Sequence, residues 1–191
     1  MAVVKIISGA QTGADRAGLD AALHLGLRVG GWIPLGRRTD EGPLSVVDMQ
    51  RYGLSEHTSA EYPPRTERNV FESDGTVLFG NMFSPGCKLT IKLCRKHGRP
   101  YLCNPTAVEL RVWVSGRVDC AINILNVAGN RERTNPGIYG LTYSTLVEAL
   151  DTMTACHECR QLFNISDMSN YYNDGVRRCG RCTVEISGGP R

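Results

Sequence analysis

The 191-residue sequence predicts an α/β domain on a mostly parallel sheet, followed by a short cysteine-rich tail. Three observations carry that expectation. Short apolar runs alternate with helix-periodic segments over the first 150 positions, glycine turns sit between them, and four of the eight cysteines form two tight pairs after position 155.

The elements follow in order. Val3-Val4-Lys5-Ile6-Ile7 is a compact run of the kind buried on both faces of a sheet, and it stops at Ser8-Gly9. A helical pattern through Ala17, Leu19, Ala21, Ala22, Leu23 and Leu25 ends at Gly26. Residues 30–64, punctuated by Pro34, Gly36, Pro43, Gly53, Pro63 and Pro64, read as one long irregular region, and long loops in compact domains tend to be functional. A short helix is expected over Thr66 to Glu72, a strand over Gly75 to Phe79, a helix over Cys87 to His97 and a strand over Pro100 to Cys103. Residues 105–118 fit either an exposed helix or an edge strand. Cys120 to Val127 reads as a strand and Ile138 to Leu150 as the last helix. The expected boundary divides a ligand-binding domain, residues 1–150, from a tail, residues 151–191, too small to build a core of its own.

Composition narrows the class. Hydrophobic residues make up 41% and charged residues 21%, which excludes a disordered or fibrous chain. No apolar stretch approaches the roughly 18 residues of a membrane span, and the first residues lack the layout of a signal peptide, so a cytoplasmic location is expected. A net charge of +3 does not suggest an extended nucleic-acid footprint, although 18 of the 22 cations are arginine, suited to forked contacts with phosphate.

The clearest local signal is Ser8-Gly9-Ala10-Gln11-Thr12-Gly13-Ala14-Asp15, small residues at a strand–helix junction where backbone N–H groups and the helix dipole favour an anion. It is neither a phosphate loop, since no Gly-Lys-Ser/Thr follows, nor the dinucleotide fingerprint, since Gly9 and Gly13 have the wrong spacing. The competing reading is a tight turn with Thr12 or Asp15 as a helix cap. Arg16, Arg37, Arg38 and Arg68 are candidate phosphate partners. Pro85-Gly86-Cys87 opens a second helix, and Gly129-Asn130 leaves another strand at its carboxyl end, the edge where open α/β sheets place their ligands. No serine–histidine–acid arrangement has spacing-based support.

In the tail, Cys156-His157-Glu158-Cys159 and Cys179-Gly180-Arg181-Cys182 are two Cys-x-x-Cys knuckles separated by 19 residues. Four thiolates from two tight turns suit a closed, tetrahedral, structural zinc site. Such ribbons also dock nucleic acid or protein, for which Tyr171-Tyr172 and Arg177-Arg178 are thin support.

Taken together, these motifs resemble the molybdenum carrier protein family, within the Rossmann-like group that includes nucleoside-monophosphate phosphoribohydrolases once labelled lysine decarboxylases. The resemblance spans roughly residues 3–140. It rests on the run from Ile6 to Asp20, on Gly31-Trp32 and Pro34-Leu35-Gly36-Arg37-Arg38, on Arg65-Thr66-Glu67-Arg68-Asn69-Val70 and Ser73-Asp74-Gly75-Thr76, and on Asn126-Val127-Ala128-Gly129 with Pro136-Gly137-Ile138-Tyr139. It implies a Rossmann-like three-layer fold, a homo-oligomer, and a phosphate-bearing ligand such as molybdenum cofactor, a nucleotide or an ADP-ribose-type signal. The sequence departs from the pattern at Pro85-Gly86-Cys87, where the family has Gly-Gly-Thr, at Thr90, where the hydrolases carry a glutamate, and at Asn130, where the family has proline. The first expectation is therefore a carrier or sequestering protein for a nucleotide-like molecule. The alternatives are a hydrolase of a ribosyl bond, with Asp15, Glu67 and Asp74 as candidate carboxyl groups, and a zinc-ribbon interaction module on an α/β scaffold.

Overall fold

A computed structural model of the chain describes residues 3–115, 122–151, 153–155 and 162–164. By Cα proximity the chain divides into Met1–Leu150 and Asp151–Arg191.

The first unit is a six-stranded parallel sheet. Its strands are β1 (Lys5–Ser8), β2 (Arg28–Ile33), β5 (Leu54–Glu56), β6 (Gly75–Phe79), β7 (Tyr101–Cys103) and β8 (Ile124–Gly129), in spatial order β5-β2-β1-β8-β6-β7. All five residues of β6 are buried, which is why its sequence carries no charged residue and does not alternate, and its one polar side chain, Thr76, accepts from the buried Asn126 amide. Residues 76 to 78 of β6 pair with β7 on one side, and the whole strand pairs with β8 on the other.

Helices α1 (Ala14–His24), α5 (Ala107–Ser115) and α6 (Ile138–Leu150) form one packed group, with α6 against both α1 and α5. Their buried faces share a core with the sheet through Ile6, Leu110, Leu125, Val127 and Leu146. A separate pair, α3 (Tyr62–Glu72) and α4 (Pro85–Lys96), encloses Val70, Leu93 and Cys94. The α1 helix lies unusually close to β8: a Cβ on Gly18 would come 2.7 Å from the Val127 Cβ, so a glycine there permits the approach.

Residues 30–64 are not one irregular region. They contain the end of β2, a hairpin of β3 (Arg38–Thr39) and β4 (Gly42–Pro43), α2 (Val46–Arg51), β5 and the start of α3. Two- and three-residue strands and a six-residue helix with no buried residue leave too little periodic signal to detect in sequence. The helix expected from Thr66 begins at Tyr62, because Pro63 and Pro64 occupy its first turn, where a missing N–H costs nothing. Residues 107–115 are helical: Ala107, Leu110 and Val114 are buried at helical spacing, while Val108 and Val112 are exposed. The strand expected from Cys120 is described from Ile124.

In the second unit, β9 (Met153–Ala155) and β10 (Leu162–Asn164) pair antiparallel. Cys156, Cys159, Cys179 and Cys182 lie outside the described residues. Among the described residues no helix is long and apolar enough to cross a membrane, and no cluster of three His, Cys, Asp or Glu side chains could hold a metal.

Candidate functional site

The chain builds β1, β2 and β5 outward in one direction, then starts again at β6 on the other side of β1, with β8 filling the gap. This reversal splays the loops apart at the carboxyl ends of β1, β8 and β6, where open α/β sheets hold ligands. A cleft of about 120 Å³ opens there. Gly9, Gln11 and Asp15 wall one side, Tyr62, Arg65, Thr66 and Asn69 of α3 another, and Gly86, Leu89 and Thr90 of α4 a third; Asn126 to Gly129 and Arg131 complete it.

The β1–α1 turn is a strained and densely bonded piece of backbone. Ala10, fully buried, adopts φ 52°, and Gly13 φ 78°, with the left-handed cost at Ala10 about 1–3 kcal/mol. The Gln11 side chain holds the turn: its Oε1 accepts from the backbone N–H groups of Thr12 and Asp40, both at 2.9 Å. The second of these bonds ties the β3–β4 hairpin to the turn. Ser8 Oγ donates to the Val127 carbonyl at 2.7 Å, so this hydroxyl fastens β1 to β8. The Ala14 N–H donates to the Asn130 carbonyl at 3.1 Å.

Charge within the cleft is paired. Arg65 Nη1 lies 3.7 Å from the Asp15 carboxylate, and both side chains are almost wholly enclosed. Burial pushes the Asp15 carboxyl above its ordinary value; Arg65, the backbone N–H groups of Gln11 and Gly129, and Arg131 pull the other way. Burial likewise lowers Arg65, with Asp15 opposing it. The guanidinium lies directly over Gly9, where any Cβ would overlap it. Arg131 donates to Asp40 at 2.7 Å, and Arg133 approaches the same carboxylate at 3.5 Å. The Tyr62 ring has three guanidinium groups around it: Arg131 at 5.3 Å, Arg65 at 5.5 Å and Arg38 at 6.0 Å. Among the described residues, the buried donors Arg65 Nε and Gln11 Nε2 have no partner. Unpaired buried donors are costly, and a ligand oxygen would relieve them.

The deciding comparison concerns the whole first unit. A family model described as "Circularly permutated YpsA SLOG family" matches residues 6–150. The chain belongs to this family. The crystal structure of the "Putative molybdenum carrier protein" from Syntrophus aciditrophicus SB is similar to it at 35% sequence identity and a TM-score of 0.69, over 78% of this chain and 95% of that one. No curated protein matches the chain. Membership of the YpsA SLOG family agrees with the resemblance read from the Ile6 to Asp20 motif, and the six-stranded parallel sheet is that of a Rossmann-like α/β domain.

Within this fold the residues singled out from sequence separate into groups. Gly9, Gln11, Asp15, Gly86 and Gly129 line the cleft. Thr12, Gly13 and Arg16 line a different depression beside the same turn, with Asp20, Glu41, Glu132 and Tyr139. Arg37 is half-buried, with φ 55°, and the exposed Arg38 stands at the rim beside Tyr62. Pro85 and Cys87 start α4, whose cap Ser84 accepts from the Cys87 N–H at 3.4 Å. Asn130 is a fastener: it donates to Ser84 Oγ at 3.0 Å and accepts from the Asn81 N–H, joining the β8 end to the loop after β6.

Three expected contributors are placed elsewhere. Arg68 stacks on Trp32 at 5.1 Å and pairs with Glu72 at 2.6 Å on the outer side of α3. Glu67 pairs with Lys96 and His97, at 2.6 and 2.7 Å, which hold its carboxyl below the ordinary range. Asp74 stands at the amino end of β6, opposite the cleft edge, accepting from the N–H groups of Asn123 and Ile124. Conversely, Tyr62, Arg65, Asn69 and Arg131 line the cleft but fall outside the ligand set expected from sequence, although Asn69 reads there as a residue that could cap or bind. Helical spacing could have found the first three: positions 62, 65, 66 and 69 share one face of a helix that begins at Tyr62. Asn69 fixes that face, since its Oδ1 accepts from the Trp32 N–H at 2.8 Å and its Nδ2 donates to the Trp32 carbonyl at 3.1 Å.

Proposed function

We propose that residues 1–150 bind a phosphate-bearing, nucleotide-like small molecule, which the protein carries or sequesters rather than turns over. One observation carries this reading. At the switch-point cleft a buried arginine, Arg65, lies against a glycine of the β1–α1 turn, and among the described residues neither its Nε nor the Nε2 of Gln11, which lines the same cleft, has a partner. Guanidinium and amide donors in an enclosed site are suited to phosphate oxygens.

The cleft is smaller than the roughly 300–1,000 Å³ of pockets that engulf whole ligands. It suits the phosphate end, and the remainder of the molecule lies over the rim of Tyr62, Leu89 and Arg131. The neighbour from Syntrophus aciditrophicus SB favours molybdenum cofactor, a pterin phosphate, as one cargo; an ADP-ribose or cyclic-nucleotide signal is the other class that fits. The hydrolase alternative has weaker footing, since Asp15 alone of its three carboxyl groups lines the cleft and Thr90 offers no carboxylate. For the tail we propose structural zinc at Cys156, Cys159, Cys179 and Cys182, supported by their spacing, and for the chain a homo-oligomer, supported by the family resemblance.

Calorimetric titration with ADP-ribose, a cyclic nucleotide and a pterin phosphate tests the binding role, with chromatography for released base. At least one compound binds, Arg65→Ala weakens it about tenfold or more, and no base is released. Binding by none of them, or multiple turnovers of base release, overturns the proposal.

A further inference from the structure

The anion position proposed above is already occupied by the protein itself. Asp15, the second residue of α1, directs its carboxylate back into the turn that precedes the helix, where the backbone N–H groups of Gln11 and Gly129 and the Arg65 guanidinium all favour negative charge. These are the groups an external phosphate or sulfate would need. An unprotonated Asp15 and a dianion cannot share so small and enclosed a space without strong repulsion.

We propose that Asp15 is the resident anion of the cleft, and that an incoming phosphate- or sulfate-class anion takes its place at Arg65 as this carboxyl takes up one proton from solvent. The proposal rests on the anion-binding reading of the same site and adds its regulation: loading is favoured by acid and release by base.

The surroundings leave Asp15 as the group positioned to do this. Arg65 faces it from α3, with Tyr62 against that guanidinium, Arg131 from the segment after β8, and the Cys87 thiol from the start of α4. Arg131 is engaged by Asp40 of the hairpin, and burial pushes the Cys87 thiol up, away from neutral pH. Among the described residues no histidine lines the cleft. His97, the histidine paired with a carboxylate, meets Glu67 on the other side of α3. The raised Asp15 carboxyl has the right direction, since its neutral form becomes accessible at milder acidity than for a solvated aspartate.

The test uses sulfate, which keeps a constant charge in the range concerned, titrated calorimetrically into the full chain from pH 8 to pH 5. Buffers of different ionisation enthalpy count the protons. Affinity rises by up to about tenfold for each pH unit lowered, with close to one proton taken up per sulfate bound. Asp15→Asn binds sulfate at pH 8 about tenfold or more tightly than the unaltered chain, with a flat pH profile. The proton count on the unaltered protein stands even if the variant folds poorly. Sulfate binding with a flat profile and no proton uptake overturns the proposal while leaving the binding reading intact. No sulfate binding at any pH, by either protein, overturns both.

Discussion

Replacing Asn69 with alanine should loosen the frame of the cleft by a calculable amount. The Asn69 side chain is 2% exposed and bonds both backbone groups of Trp32, at 2.8 and 3.1 Å, clamping α3 to the end of β2. Each bond contributes about 0.5–1.5 kcal/mol net, and a buried group left unpaired costs about 1–3 kcal/mol. Water can reach the partly exposed Trp32 once the amide is gone, so the loss should be about 2–4 kcal/mol. For a domain of this size that corresponds to a fall in Tm of about 4–16 °C. Urea unfolding followed by tryptophan fluorescence reads it directly, since Trp32 is itself a reporter. Asn69→Asp keeps the shape and the acceptor but removes the donor and places a carboxylate toward the Trp32 carbonyl, so it should be at least as damaging. A loss under about 0.5 kcal/mol for Asn69→Ala, with an unchanged denaturant slope, would refute the clamp.

Other expectations follow from the same contacts. Arg65→Ala should abolish most ligand affinity, whereas Arg68→Ala, which removes an exposed pair with Glu72, should change affinity by less than about threefold; equal losses on calorimetric titration would show that the assignment to α3's inner face is mistaken. The Glu67 carboxyl is held low by Lys96 and His97, so the stability it contributes is present above pH 4.5 and disappears as pH falls through its lowered value. Glu67→Gln should therefore flatten the acid side of the urea midpoint against pH, and an unaltered acid limb would count against that pairing. Metal analysis should find one zinc per chain, lost in a Cys156→Ser, Cys179→Ser double variant that retains ligand binding; a metal-free native protein would exclude the zinc site.

Much of the architecture can be read from sequence because its signals are local. The run ending at Ser8-Gly9, the uncharged Gly75 to Phe79 segment and the Ile138 to Leu150 helix each follow from burial on both faces of a sheet or from a packed helix. Residues 105–118 stay ambiguous in sequence because Val108 and Val112 are exposed yet apolar, so the hydrophobic pattern alternates while the true buried set is Ala107, Leu110 and Val114. The region from Gly30 to Pro64 hides its strands because β3, β4 and β5 are two or three residues long and take their order from neighbours, not from their own composition. For the site, the glycine turn was legible and the arginine was not. Arg65 and Arg68 are equivalent as residue types; only the helix start at Tyr62, masked by two prolines, decides which faces the cleft. Asp15 shows the limit most clearly, since its position at a helix start suggests a cap, whereas tertiary packing seals it against an arginine 50 residues away in the chain.

The central claim is that the cleft around Gly9 and Arg65 holds a phosphate-bearing small molecule. Mass spectrometry of compounds released on denaturing the natively purified protein tests it most directly, with the Arg65→Ala protein prepared in parallel. The account predicts a phosphorylated nucleotide- or pterin-like compound, approaching one per chain, that is depleted in the variant. The same compound retained in full by Arg65→Ala, or a native protein that releases no phosphorylated compound and regains none on incubation with a cell extract, would contradict it.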